Sequence, residues 1–191
     1  VGLHAARRAG ITSGIRAGIL GCGPIAASLL LVLQSLGAGV VVMTDVLPDR
    51  LTFARSLGAD RVVNVSGLDA EDLLGVVPGD SLDAVFDTTC NENAVNAAMR
   101  WLKKGGTLVQ IGVPGASMNL DMRALFNRGV SLIPSFRYAN TYPALVRMTA
   151  SGKLNALPLI THRFAFGETG AAFETAASRA PGVMKVLVEF T

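Results

Sequence analysis

The 191-residue sequence predicts an α/β fold, a doubly wound parallel sheet, on three observations. An apolar run at 16–20 breaks into Gly21-Cys22-Gly23-Pro24-Ile25-Ala26 and opens a helix. That is the Gly-x-Gly-x-x-Gly/Ala arrangement, in which free N–H groups at a helix N-terminus receive a pyrophosphate. The run 40–44 is rich in β-branched residues without polar alternation, the mark of a strand buried on both faces. Strands then alternate with helices along most of the chain, which requires right-handed crossovers between parallel strands.

Residues 1–9 carry apolar side chains at helical spacing and stop at Gly10, and the first strand follows at 16–20. Gly21 permits a tight turn, Gly23 lets the backbone approach a ligand, and Ala26 is small enough for close packing on the sheet. Pro24 suits the first turn of a helix, where its missing N–H costs nothing. This helix runs to Gly37, and the strand 40–44 ends in Asp45. An acid about 20 residues after the glycines is what a dinucleotide site needs at its ribose. Pro48 starts a helix that ends near Gly58; a strand at 61–65, a short helix at 69–74 and a strand at 82–87 follow. Asn91 caps a helix whose stripe Ala94, Ala98, Trp101, Leu102 faces the sheet, closed by Lys103, Lys104 and Gly105. A fifth strand is expected at 107–112 and a sixth at 130–136, where Pro134 restricts it to an edge or a bulge. A helix at 141–151 has Pro143 in its first turn and Gly152 at its end; from 159 onward the pattern reads strand, helix, strand.

Half of the residues are hydrophobic, enough to bury a core of one domain. The net charge is +3 and the basic residues are scattered, with only pairs such as Arg7-Arg8 and Lys103-Lys104, so a nucleic-acid partner is not expected. The longest apolar run, 29–33, falls far short of the ~18–20 residues that span a bilayer, so no membrane partner is expected. Cys22 and Cys90 lack a CxxC partner and suit a reducing cytoplasm. The chain opens on Val1 within a helical pattern, as a portion of a longer protein would. His4 reads as an ordinary helix-face histidine.

Five pieces carry a more specific resemblance: Val1-Gly2-Leu3-His4-Ala5-Ala6-Arg7-Arg8, Gly21-Cys22-Gly23-Pro24-Ile25, Gly105-Gly106-Thr107-Leu108-Val109, Phe136-Arg137-Tyr138-Ala139-Asn140-Thr141-Tyr142-Pro143 and Thr161-His162-Arg163-Phe164. With them the chain resembles the cofactor-domain part of the zinc-dependent medium-chain dehydrogenase/reductase superfamily, in its polyol branch of sorbitol, xylitol and L-arabinitol dehydrogenases. The resemblance implies NAD as cofactor, with Gly21, Gly23, Pro24 and Ile25 at the pyrophosphate and Asp45 and Arg50 at the adenosine ribose. It sets Ile111, Gly112 and Val113 beside the nicotinamide ribose. Ser135, Phe136 and Arg137 match the segment that holds the carboxamide, and Arg137 with Tyr138 reaches the polyol hydroxyls.

The resemblance divides the chain into an NAD-binding domain at 1–157 and a return segment at 158–191, which in the whole enzyme belongs to a GroES-like catalytic domain. There a zinc ion, held by a cysteine, a histidine and a glutamate of an N-terminal domain, polarises the alcohol. No catalytic or metal-binding residue is expected within these 191 residues, so zinc is expected only in the full-length enzyme. Phe164, Phe173, Val186 and Leu187 are expected to be exposed or repacked without that domain. A homodimer or homotetramer joined through the edge strand 130–136 is also implied. Two departures stand out: Asp87-Thr88-Thr89-Cys90, where the family carries glycine at the last position, and Pro134 in the edge strand. The competing readings are a non-catalytic NAD(H)-binding or dimerisation module and a Rossmann-like methyltransferase. The second is disfavoured because the first strand ends in Leu20 rather than in an acid. A short-chain reductase is disfavoured because neither tyrosine has a lysine four positions on, where Tyr142 and Val146 stand.

Overall fold

The computed structural model describes residues 1–191 except 116, 179 and 191. Its helices are α1 (Gly2–Arg8), α2 (Pro24–Ser35), α3 (Pro48–Ser56), α4 (Ala70–Val76), α5 (Glu92–Trp101), α6 (Met122–Arg128), α7 (Tyr142–Ala150) and α8 (Thr169–Ser178). The strands are β1 (Arg16–Leu20), β2 (Val40–Asp45), β3 (Arg61–Asn64), β4 (Leu82–Asp87), β5 (Leu102–Gln110), β6 (Ser131–Pro134), β7 (Ile160–Ala165) and β8 (Lys185–Glu189). The first six form one parallel sheet in the order β3-β2-β1-β4-β5-β6, and β7 and β8 form a separate parallel pair. This strand order reverses between β1 and β4, the topological switch point where ligands of doubly wound sheets bind.

Alternation along the strands sorts side chains to two cores. Ile19, Met43 and Phe86 point to the side covered by α1 and α2, where they meet Leu3, Leu29, Leu30 and Leu33. Leu20, Val42, Val85 and Leu108 point to the other side, against Leu73, Val95, Met99 and Trp101. Because both faces are covered, the strands need no polar face, and the uninterrupted apolar run of β2 follows. Trp101 is buried and its indole N–H donates to Leu73 O at 3.2 Å, so truncation to alanine would cost about 3–5 kcal/mol.

Several expected elements are displaced. α5 does end in a buried stripe, but this stripe is Val95, Ala97, Ala98, Met99 and Trp101. Leu102, Lys103, Lys104 and Gly105 fall in β5 rather than on the helix end. They fill a bulge in which Leu82 pairs with Leu102 and Ala84 with Thr107; Lys103 bonds Asp83 at 2.8 Å and Gly105 takes a left-handed φ of 74°. α6 was not foreseen. Asp121 accepts the Ala124 N–H and Gly129 ends it at φ 61°, both ordinary caps, while its Met122 and Phe126 are exposed and leave no inward stripe to read. β6 is shorter than 130–136: Val130 is buried beneath the sheet, and Ser135 and Phe136 lie past the strand. Pro134 is its last residue. Of the apolar residues of the last segment, Phe173 is exposed, whereas Phe164, Val186 and Leu187 are half-buried within the β7–β8 pair. Among the described residues, no helix is long and apolar enough to cross a membrane.

Candidate cofactor site

The carboxyl ends of β1, β2, β4, β5 and β6 converge on one crevice. At the end of β1, Gly21 takes φ 94°, and a Cβ there would stand 2.5 Å from Thr88 Oγ1. Only glycine fits both the conformation and the space. Gly23 is the N-cap of α2, and a Cβ on it would meet no atom within 4 Å, so the backbone is open on that side. Pro24 is the first residue of α2 and no side chain caps the helix, leaving its N-terminal N–H groups for a ligand. Ile25, in that first turn, is partly exposed.

Asp45 closes the same corner from β2. Its Oδ2 accepts the Cys22 N–H at 2.7 Å, and its Oδ1 accepts the N–H groups of Val46 at 2.7 Å and Leu47 at 3.0 Å. A cavity of about 290 Å³ opens between Gly21, Asp45, Val46, Val65, Leu68 and Thr89, its walls part apolar and part polar beside the carboxylate. Arg50 lies on the other side of Pro24, its side chain largely buried, donating to the Met184 thioether. Pro24, Arg50, Met184 and Lys185 line a second recess of about 360 Å³. Two cations therefore flank the start of α2. Lys185 was not flagged by the sequence, since 161 positions of chain separate it from Pro24 and only the fold brings them together.

The other half of the crevice is organised by Asp87. This carboxylate is fully buried and accepts from Thr89 N at 2.9 Å, Thr89 Oγ1 at 2.7 Å, Cys90 N at 2.9 Å and Gln110 Nε2 at 2.5 Å. A buried charge needs such a set of donors. Its backbone carbonyl holds Ile111 and Gly112 in place through their N–H groups at 2.9 and 3.0 Å. Gln110, which ties β5 to β4, also escaped the sequence reading, because it carries no local motif. Cys90 takes a left-handed φ of 57°, a conformation that glycine adopts without steric cost, and its Sγ lies 2.6 Å from where a Cβ on Gly112 would be. Burial and the nearby Asp87 push its thiol pKa up. Val113 is exposed at the rim.

Beyond β6, the Ser135 N–H donates to Gln110 O at 2.7 Å, while Ser135 Oγ is buried and has no partner among the described residues. Phe136 is exposed with the Arg137 guanidinium 5.2 Å from its ring centre, and Arg137 has φ 54°. The Tyr138 hydroxyl stands 3.2 Å from that of Tyr142, the rings meeting edge to face. The structure thus gathers Gly21, Gly23, Pro24, Ile25 and Asp45 around one corner. Ile111, Gly112, Val113 and the loop from Ser135 to Tyr138 follow the adjoining strand ends.

An open helix N-terminus, a cavity beside a carboxylate and an orphaned serine hydroxyl fit a dinucleotide. Zinc does not fit the residues present. Among the described residues, no three His, Cys, Asp or Glu side chains stand together to hold a metal. His162 Nδ1 is engaged with Thr161 Oγ1, and Cys22 is buried with its thiol pKa pushed up to about 12 by burial and by Asp45.

Such a sheet is shared with solved dehydrogenases, one complexed with NADH at 21% identity and one bound to NADP at 24%, likenesses of fold alone. Residues 24–151 match the zinc-binding dehydrogenase family, and the chain belongs to it. Over 178 residues it is 36% identical to sorbitol dehydrogenase of Macaca fascicularis, covering 92% of this chain and 50% of that protein. L-idonate 5-dehydrogenase of Escherichia coli superposes with a TM-score of 0.87 at 30% identity, covering 99% of this chain and 54% of that one. A zinc-binding dehydrogenase of Sinorhizobium meliloti bound to NADP matches with a TM-score of 0.86 at 24% identity, over 98% of this chain and 56% of that one, a likeness of fold alone. The chain spans about half the length of the curated relatives it matches.

Proposed function

We propose that these residues form the NAD(H)-holding part of a dehydrogenase that oxidises polyols of the sorbitol type. The observation that carries the reading is the junction of the glycine turn with Asp45 around one cavity at the topological switch point. Residues 1–157 are the dinucleotide-binding domain and 158–191 the segment that joins the catalytic domain of the whole enzyme. Gly21, Gly23, Pro24 and Ile25 hold the pyrophosphate, and Asp45 and Arg50 the adenosine ribose. Ile111, Gly112 and Val113 line the nicotinamide ribose, with Ser135, Phe136 and Arg137 at the carboxamide. NAD, when bound, supplies the hydride acceptor. Arg137 and Tyr138 offer donors suited to a hydroxyl-rich substrate.

NAD is preferred over NADP because the Asp45 carboxylate accepts a hydrogen bond from the 2′-hydroxyl and repels a 2′-phosphate. The protein works in the cytoplasm, as a dimer or tetramer joined at the sheet edge. Titration calorimetry with NADH tests the reading. Saturable binding is expected, lost in Gly21→Ala; a folded wild-type chain that binds no NADH would overturn it.

A further inference from the structure

Two arginines outside the crevice reach its far end. α1 ends in Arg7 and Arg8; Arg7 Nη1 donates to Asn140 O at 3.0 Å and Arg8 Nη2 to Pro134 O at 3.1 Å. These two carbonyls bracket the loop that bears Ser135, Phe136, Arg137 and Tyr138. Within that bracket Arg137 and Asn140 both hold left-handed backbone, at φ 54° and 55°; asparagine adopts it readily, whereas arginine does so uncommonly. The loop has few other anchors: the Ser135 N–H on Gln110 O, and the buried Thr141 at the start of α7.

α1 is also tightly seated on the helix that begins at the glycine turn. A Cβ on Gly2 would stand 2.9 Å from the Leu29 Cα, so the two backbones touch, and Leu3, Ala5 and Ala6 are buried in the same contact. A chain of contacts therefore runs from α2, through the packed face of α1, and by one hydrogen bond from each exposed arginine to the two ends of the loop. We infer that Arg7 and Arg8 are positioning residues: they fix the loop 135–138 at a set distance from the start of α2, in the shape that receives the nicotinamide end of the cofactor. This rests on the NAD-binding reading above. A planar guanidinium on a packed helix suits the task, because its donor directions are fixed once its stem is held.

The test compares two ligands on the 191-residue chain. ADP-ribose has the adenosine and pyrophosphate but lacks the nicotinamide, whereas NADH has both. By calorimetry, Arg7→Ala with Arg8→Ala weakens NADH about 10-fold, near the loss of one hydrogen bond to a charged group, and leaves ADP-ribose within about two-fold. Arg7→Lys with Arg8→Lys keeps a donor at each carbonyl and recovers most of the NADH affinity; if the alanine pair fails to fold, Arg7→Met with Arg8→Met, which keeps the apolar stems and removes the donors, is read in its place with the same outcomes. Equal losses for both ligands, or unchanged NADH affinity, overturn the assignment while leaving the cofactor reading intact. A wild-type chain that binds neither ligand overturns both.

Discussion

Asp45 accepts the Cys22 N–H at 2.7 Å, so the acid that ends the second strand is fastened to the glycine turn that follows the first. The carboxylate orders the turn and closes the cavity with the same two oxygens. Asp45→Ala removes the acceptor of three backbone N–H groups together with the proposed ribose partner. A hydrogen bond to a charged group contributes about 1.5–3 kcal/mol. NAD affinity is expected to fall about 10-fold or more, with a lower melting temperature. Asp45→Asn retains an oxygen for part of the turn, and it should keep more of the stability than of the NAD-over-NADP preference. Calorimetry with both cofactors decides: equal affinities in the wild type would remove the basis for NAD preference.

The two cysteines give a pH signature. Cys22 is fully buried and its thiol pKa is pushed up to about 12, by burial first and by Asp45 second. In the unfolded chain the thiol ionises near its ordinary value of 9.0. Between these values the unfolded state has lost a proton that the folded state keeps, so stability falls as pH rises through about 9 to 12. Urea melts at pH 8 and 10.5 should show this decline, and Cys22→Ala should make it shallower; an unchanged slope would mean the thiol is not held in its neutral form. At pH 8, alkylation should label Cys90 slowly and Cys22 hardly at all. NADH should protect Cys90, which stands against Gly112 in the crevice.

The fold was legible wherever the pattern was local. β1 and β4 have the bounds their apolar runs indicate, and Asn91 caps α5 through the Ala94 N–H. The misses have physical causes. α6 turns Met122 and Phe126 to solvent, so no helical stripe marks it, and its caps alone are common turn signals. Lys103 and Lys104 look like a basic helix end, yet the bulge opposite Leu82 draws them into the sheet. In the crevice, the glycine turn and Asp45 follow from spacing along the chain. Gln110 and Lys185 do not, because their places depend on β4 pairing with β5 and on the last segment lying against Pro24.

Self-association is expected at β6, which among the described residues pairs with β5 alone and presents its other edge. Unpaired N–H and C=O groups along such an edge template another strand. Leu132 is partly exposed there, and a recess of about 400 Å³ beside it is lined by Gln110, Met118, Leu132 and Pro134. Sedimentation equilibrium at tens of micromolar protein should find dimers, and Leu132→Lys should shift them toward monomer. A wild-type monomer across that range would rule out this edge.

The last prediction concerns turnover by the 191 residues alone. Oxidation of an alcohol needs a group that takes the hydroxyl proton and steadies the alkoxide as hydride leaves. Arg137 is suited to attract an alkoxide, but a guanidinium offers donors only and no acceptor for the hydroxyl proton. Tyr138 meets the hydroxyl of Tyr142, a contact that raises the Tyr142 pKa above its ordinary value, so Tyr142 keeps its own proton and cannot take one from Tyr138. Among the described residues, no three metal-binding side chains are grouped, whereas a catalytic zinc takes three protein ligands and leaves one position open. Added zinc should therefore restore nothing, even where NADH binds. The measurement is NADH formation from sorbitol, xylitol and L-arabinitol with zinc-loaded protein, with elemental analysis of the same sample. Turnover of about 1 s⁻¹ or more lies in the ordinary enzyme range. Found together with one zinc per chain, it would show that these residues assemble a catalytic centre that the structure does not contain.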